Sequence, residues 1–167
     1  MKYSLTEETT TDGAVTYYRV RADESTQYVK NGELGGWLES RENLSEEGEA
    51  WVSENARVSG SARVYGNARV YGDAQVYGAA EVYGEAYVYG KAHIYEDARV
   101  SGYARVSRYA RIYGNARIYE NTRVSEDAQV YGNARIYENA RVYGDAQVYG
   151  EARVYGDSRI FGDSCLW

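Results

Sequence analysis

At 167 residues the chain holds one domain, or one domain with a small extension, and its formal net charge is -6. All of that charge lies in residues 1–50, which carry eleven Asp or Glu against five Lys or Arg, while the remainder carries fourteen of each. A neutral body lacks the basic stripe of a nucleic-acid binder and the acidic one of a DNA mimic, so nucleic acid is not expected as a partner. The one cysteine, Cys165, excludes an internal disulfide framework and fits a reducing compartment. The start Met1-Lys2-Tyr3-Ser4-Leu5 has no apolar signal region, and no apolar run reaches membrane length, so a cytoplasmic setting without membrane contact is expected.

Residues 1–50 read as a small β-rich capping region. Thr16 to Arg21 is rich in β-formers and predicts a strand, Asp23 to Thr26 a turn, and Gln27 to Lys30 a return strand. The first coil of a solenoid would otherwise present unpaired backbone and an open core. Trp37, Leu38, Leu44 and Trp51 are the candidates to plug it.

Residues 51–167 repeat one hexad without a slip. From Ala62 it runs Ala-Arg-Val-Tyr-Gly-Asn, with an aliphatic at every sixth position from Val52 and Val58 to Ile160 and Leu166. A small residue stands two places before each aliphatic: Ala56, Ala62, Ala68 and so on, then Thr122, Ser158 and Ser164 in places. This predicts an all-β, single-stranded parallel β-helix: three hexads per triangular coil of eighteen residues, about six coils, aliphatics and small residues inside. Glycine after tyrosine suits a corner with positive φ, and Asn or Asp beside it tolerates the same region. Proline is absent, as expected of strands paired on both sides. The aliphatic-x-x-x-small-x pattern resembles the hexapeptide repeat of the left-handed β-helices found in an acyltransferase superfamily. Left-handed coils are therefore expected, with right-handed coils of the bactofilin type as the alternative.

The resemblance extends into the cap. Gly32-Glu33-Leu34-Gly35-Gly36-Trp37, then Glu42-Asn43-Leu44-Ser45, Gly48 and Trp51-Val52 running into Asn-Ala-Arg-Val repeats, resemble a bacterial and prophage hexapeptide-repeat family often labelled as transferases. The resemblance covers nearly the whole chain from about residue 17. It implies a fold and a phage connection, and it transfers no catalytic residue.

Stacking residues eighteen apart sorts the exterior into columns. One holds Tyr77, Tyr95, Tyr113, Tyr131, Tyr149 and Trp167, and another Tyr65, Tyr83, Ser101, Tyr119, Tyr137 and Tyr155. A third is interrupted: Tyr71, Tyr89, Ser107, Ser125, Tyr143, Phe161. Two uses of these ladders stay open. Tyrosines stack and arginine stems pack along them for stability, or a rigid Tyr/Arg surface, with Tyr95, Tyr113 and Tyr131 at its centre, recognises a partner. Departures from the consensus concentrate between Tyr87 and Tyr109: Tyr87 and His93 replace Arg, and Lys91, Tyr103, Arg108 and Tyr109 take corner positions. Tyr87 should stack on Arg105 and Lys91 on Tyr109, all on the interrupted face. These residues, with Arg108, form a candidate partner-binding patch; drift in a redundant repeat is the alternative. At the last coil, Phe161, Cys165, Leu166 and Trp167 predict an end-to-end homodimer, unless Trp167 folds back over its own core.

The chemistry of an enzyme is missing. His93 is the only histidine and stands at an ordinary Arg position, no hexad is interrupted by a loop, and Cys165 has no base beside it. A zinc site of three histidines cannot be assembled, and the glycines are corners rather than a phosphate loop. No catalytic, metal or cofactor-binding residue is therefore assigned. The favoured function is a non-enzymatic interaction protein, phage- or prophage-encoded, that binds a host protein; an inhibitor of a host defence system is one form of it. A self-assembling structural element and a degenerate β-helix acyltransferase are the alternatives.

Overall fold

A computed structural model describes residues 1–167 as a parallel β-solenoid with an antiparallel cap. Twenty two-residue strands, from Trp51–Val52 to Cys165–Leu166, form three sheets, and each strand pairs in register with the strand eighteen residues on. Face one belongs to a ten-stranded sheet, face two to a six-stranded sheet and face three to a seven-stranded sheet. Each strand is short because it must end at a corner. Within it the aliphatic points inward and the residue before it points out, the period-two alternation of any strand.

The interior is a column of aliphatics and alanines. Ile94, Ile112, Ile118 and Ile136 are fully buried, as are the alanines from Ala56 to Ala146. Thr122 takes one small position at no polar cost, because its hydroxyl donates to Tyr119 O at 2.6 Å. Backbone bonding runs almost wholly between coils: Arg99 N–H donates to Ala116 O at 2.9 Å and Tyr95 N–H to Ile112 O at 3.0 Å.

The cap differs from the sequence expectation in its pairing. Strand β1 (Tyr3–Asp12) pairs antiparallel with β2 (Val15–Ala22), and β2 pairs antiparallel with β3 (Leu34–Leu38). The Thr16–Arg21 strand is therefore present, but residues 27–30 form no strand. Its place is taken by β1, and Tyr28 instead packs its ring on Arg69, 3.0 Å from the guanidinium carbon. Leu38, Leu44 and Trp51 are buried as expected of a plug, while Trp37 is half-buried under Arg19.

Parallel stacking begins one turn before the strict hexads, so there are about seven turns rather than six. Leu38 pairs with Val58 and Leu44 with Val64, each twenty residues on, whereas Trp51 pairs with Arg69, eighteen on. Two extra residues between Leu44 and Trp51 hide that first turn from a period search. The Gly35-Gly36 pair is required there, because a Cβ on Gly36 would lie 2.7 Å from Ala56 O.

Every corner places one residue at positive φ, most often glycine. The exceptions are not the Asn or Asp expected from turn chemistry. They are Glu54, Glu96, Glu120, Glu126, Glu138 and Arg108. A Cβ at a corner glycine points at the corner N–H one coil on: at Gly78 it would meet Glu96 N at 2.8 Å. A glutamate there can reach that same donor. All five do, accepting from the N–H of Gly72, Gly114, Glu138, Gly144 and Gly156 at 2.7–2.8 Å. Asn and Asp, one position later, pair along the edges instead, as Asn55 Nδ2 does with Asp73 at 3.2 Å.

This rule predicts an inverted substitution order. Gly78→Ala should lose about 1–2 kcal/mol through left-handed strain and crowding. Gly78→Glu should lose less, because its carboxylate recovers about 1 kcal/mol by accepting from Glu96 N–H. Urea midpoints measure both, and a glutamate no better than alanine would contradict the account.

Candidate interaction surfaces

The tyrosine columns are continuous stacks. Tyr77, Tyr95, Tyr113, Tyr131 and Tyr149 lie on one another with ring centroids 4.8–5.2 Å apart and planes within 8°. Trp167, expected to extend this column, is 83% exposed and does not fold back over the core. Offset aromatic pairs of this kind contribute about 0.5–1.5 kcal/mol each beyond their buried area. Burial between neighbours raises the phenol pKa of Tyr77, Tyr95 and Tyr113, and an ionised neighbour in the stack, Tyr77 for Tyr95 and Tyr95 for Tyr113, raises it further. In the cap, burial pushes the Tyr3 phenol up to about 12, with its hydroxyl 2.6 Å from Leu44 O. His93, edge-on to Tyr77 with centroids 6.3 Å apart, has its pKa lowered by burial and then by the Arg111 guanidinium. It lies on face one, beside the Tyr77 ring.

Of the patch residues expected on the interrupted face, only Tyr87 and Arg105 lie on it. They are neighbours in register on face three, and Tyr87 is flanked by Arg69 and Arg105 at 5.6 and 5.7 Å. Lys91, Arg108 and Tyr109 stand instead on the edge where face three turns into face one. The reason is hexad position: corner residues cannot point from a strand. There the structure brings the three together, with Lys91 Nζ 5.5 Å from the Tyr109 ring centre. They line an open groove of about 500 Å³ whose rim also carries Asp73, Glu126 and Asp127. Tyr95, Tyr113 and Tyr131 end the strands of face one and lie at its opposite edge, so the ladder and the groove flank one face without meeting.

Arg108 is the exception among the corners. Its φ is 60°, yet its side chain carries no acceptor for the corner N–H of Glu126 one coil on. It bears the left-handed cost of about 1–2 kcal/mol without the bond that offsets it at the five glutamates. Twelve of the fourteen cations after residue 50 stand at outward strand positions; Lys91 and Arg108, one coil apart on one edge, are the other two. Sequence reasoning found the pair as departures from consensus. It missed the strain, because that needs the backbone.

At the last coil, Phe161 and Trp167 are exposed, Cys165 is exposed and Leu166 packs partly against the core. No three His, Cys, Asp or Glu side chains gather in a metal-binding cluster. No helix is long and apolar enough to cross a membrane.

The model of the YdcK β-solenoid repeat family matches residues 62–78, 110–126, 128–144, 134–150 and 146–162. Each match spans about one eighteen-residue coil, so the similarity is to the coil unit. No curated protein matches the chain.

The stack predicts a late alkaline titration. A phenol whose pKa is raised on folding contributes stability that is complete below its unfolded value of about 10 and is lost as pH rises through the folded value. Tyr95→Phe with Tyr113→Phe keeps the stack and removes two such groups. Alkaline unfolding, followed by circular dichroism alongside phenolate absorbance, should then begin at higher pH; an unchanged onset would contradict the assignment.

Proposed function

We propose that this protein is a non-enzymatic interaction module that binds a host protein through its rigid Tyr/Arg-lined surface, centred on the edge groove of Lys91, Arg108 and Tyr109. The observation that carries the proposal is Arg108: an exposed cation held at positive φ without the compensating bond, beside the one other cation at a corner. Strain retained without structural return points to a use outside the fold. Tyr and Arg suit that use because they offer large contact area at small ordering cost on a preformed scaffold. Tyr95, Tyr113 and Tyr131 supply a second flat surface on the same face, and Tyr87 with Arg105 extends the groove around the edge.

The resemblance of Gly32 to Trp37 and of Asn43 to Ser45 to prophage hexapeptide-repeat proteins supports a phage-borne origin, left-handed coils and action in the bacterial cytoplasm. Inhibition of a host defence system is the role within this class that we favour. The exposed Phe161 and Trp167 favour a second reading, self-association through the last coil into a homodimer. Light scattering tests it: a mass twice that of the chain is expected at tens of micromolar, and a monomer removes it.

Tagged protein should retain a stoichiometric host protein from a nuclease-treated bacterial lysate. Lys91→Ala, Arg108→Ala and Tyr109→Ala together should abolish that capture with the melting temperature little changed, because Arg108→Ala keeps the Cβ and its left-handed strain and breaks no hydrogen bond. Tyr95→Ser, Tyr113→Ser and Tyr131→Ser together separate stability from recognition in the ladder. Undiminished capture by the alanine triple variant would overturn the assignment of the groove.

A further inference from the structure

The tyrosine column of face two has a missing rung. Tyr65 stacks on Tyr83 at 4.8 Å, and Tyr119, Tyr137 and Tyr155 stack at 5.2 and 5.5 Å, but Ser101 stands between the two runs. Coil spacing puts the Tyr83 and Tyr119 rings about 9.6 Å apart. A single planar ring placed midway would lie about 4.8 Å from each, the separation the ladder itself uses. The gap is an open slot of about 260 Å³ with Tyr83 and Tyr119 among its lining, and Arg99, Arg117 and Arg135 line it as well.

Those arginines lie in register on adjacent strands, an arrangement of like charges that is unfavourable unless an anion joins it. Only Arg99 has an acidic partner, Glu81 at 3.9 Å; Arg117 and Arg135 form no ion pair. The protein satisfies this combination once itself, one coil earlier. There the Tyr65 hydroxyl donates to Glu81 at 2.8 Å, and Glu81 faces Arg99. A ring beside a carboxylate is thus the group that face two already accommodates. Face three offers arginines in register too, but two serines in succession, Ser107 and Ser125, leave an inserted ring only one wall.

We infer that the Ser101 slot receives an aromatic side chain of a partner protein, intercalated between Tyr83 and Tyr119, with an adjacent acidic residue of that partner held by Arg117 and Arg135. This rests on the reading of the protein as an interaction module and supplies a recognition element that the edge groove lacks, with the chemistry of its target.

The test uses the full chain, nitrogen-15 labelled, with capped Glu-Tyr-Glu as the probe. The amide signals of Ser101 and Arg117 should move at peptide concentrations on the order of millimolar. Capped Glu-Ala-Glu should bind at least about fivefold more weakly, and capped Lys-Tyr-Lys more weakly still. Ser101→Tyr fills the rung, so it should abolish the shifts and raise the melting temperature by joining six rings in one stack. Arg117→Ala should weaken binding and its salt dependence with the fold retained. Absence of shifts at Ser101, equal binding of Glu-Ala-Glu, or binding undiminished in Ser101→Tyr would overturn the inference. So would displacement of the peptide by adenosine monophosphate at lower concentration, which would make the slot a nucleotide site. Peptide binding without any protein captured from lysate would instead overturn the interaction-module reading and leave the slot's chemistry standing.

Discussion

The structure depends on one constraint: each coil's backbone must find its hydrogen-bond partners in the coil eighteen residues away. A two-residue strand has no stability of its own. It exists because Arg99 N–H meets Ala116 O, and the same bond recurs at the next coil. The hexad follows from this. An inward aliphatic fills the core, a small residue lets the chain turn, and a left-handed corner returns it to register. One donor is left over at each corner. Glycine leaves it open to solvent, and glutamate on the preceding coil closes it.

Strict register makes the exterior additive in space. Any residue repeated every eighteen positions becomes a ladder, and tyrosine gains from that while arginine does not. The tyrosine stacks therefore stabilise the rod, and the arginine columns stand beside them with few acidic partners. On face three Tyr87 separates Arg69 from Arg105, but from Arg105 to Arg159 the arginines again stand in register. On face two, below Arg99, nothing separates them. A scaffold this regular leaves its irregular positions conspicuous: a serine in a tyrosine column and an arginine at a corner otherwise held by glycine or glutamate each alter the surface while the core beneath stays unchanged.

The repeat was legible because its signal is periodic and its core positions are fixed by residue size. Val58, Ile94, Ile112 and the alanines between them lie where the sequence places them. The cap was legible only in part. Strand β1 reads Tyr-Ser-Leu-Thr-Glu-Glu-Thr-Thr-Thr-Asp, too polar to announce itself, and it forms because β2 offers an edge. The first turn was hidden by its two-residue offset, and Tyr28 was assigned to a strand when its ring is held by Arg69. The corner glutamates escaped because turn propensity favours Asn and Asp at positive φ. Here the donor to be satisfied lies one coil away, within reach of the longer carboxylate. Lys91, Arg108 and Tyr109 were visible as departures from consensus, but not their position on an edge. The Ser101 slot was visible as a missing tyrosine, but its arginine walls required the columns to be set side by side.

The central claim is that recognition resides in the departures from the repeat. It is tested most directly by a chain returned to consensus: Tyr87→Arg, Lys91→Asn, His93→Arg, Ser101→Tyr, Arg108→Gly and Tyr109→Asn together. Natural and restored chains would be compared for melting temperature and for stoichiometric capture from the same lysate. The account predicts a restored chain that melts no lower than the natural one and captures nothing. Capture of the same protein by both chains, or of none by the natural chain, would contradict it.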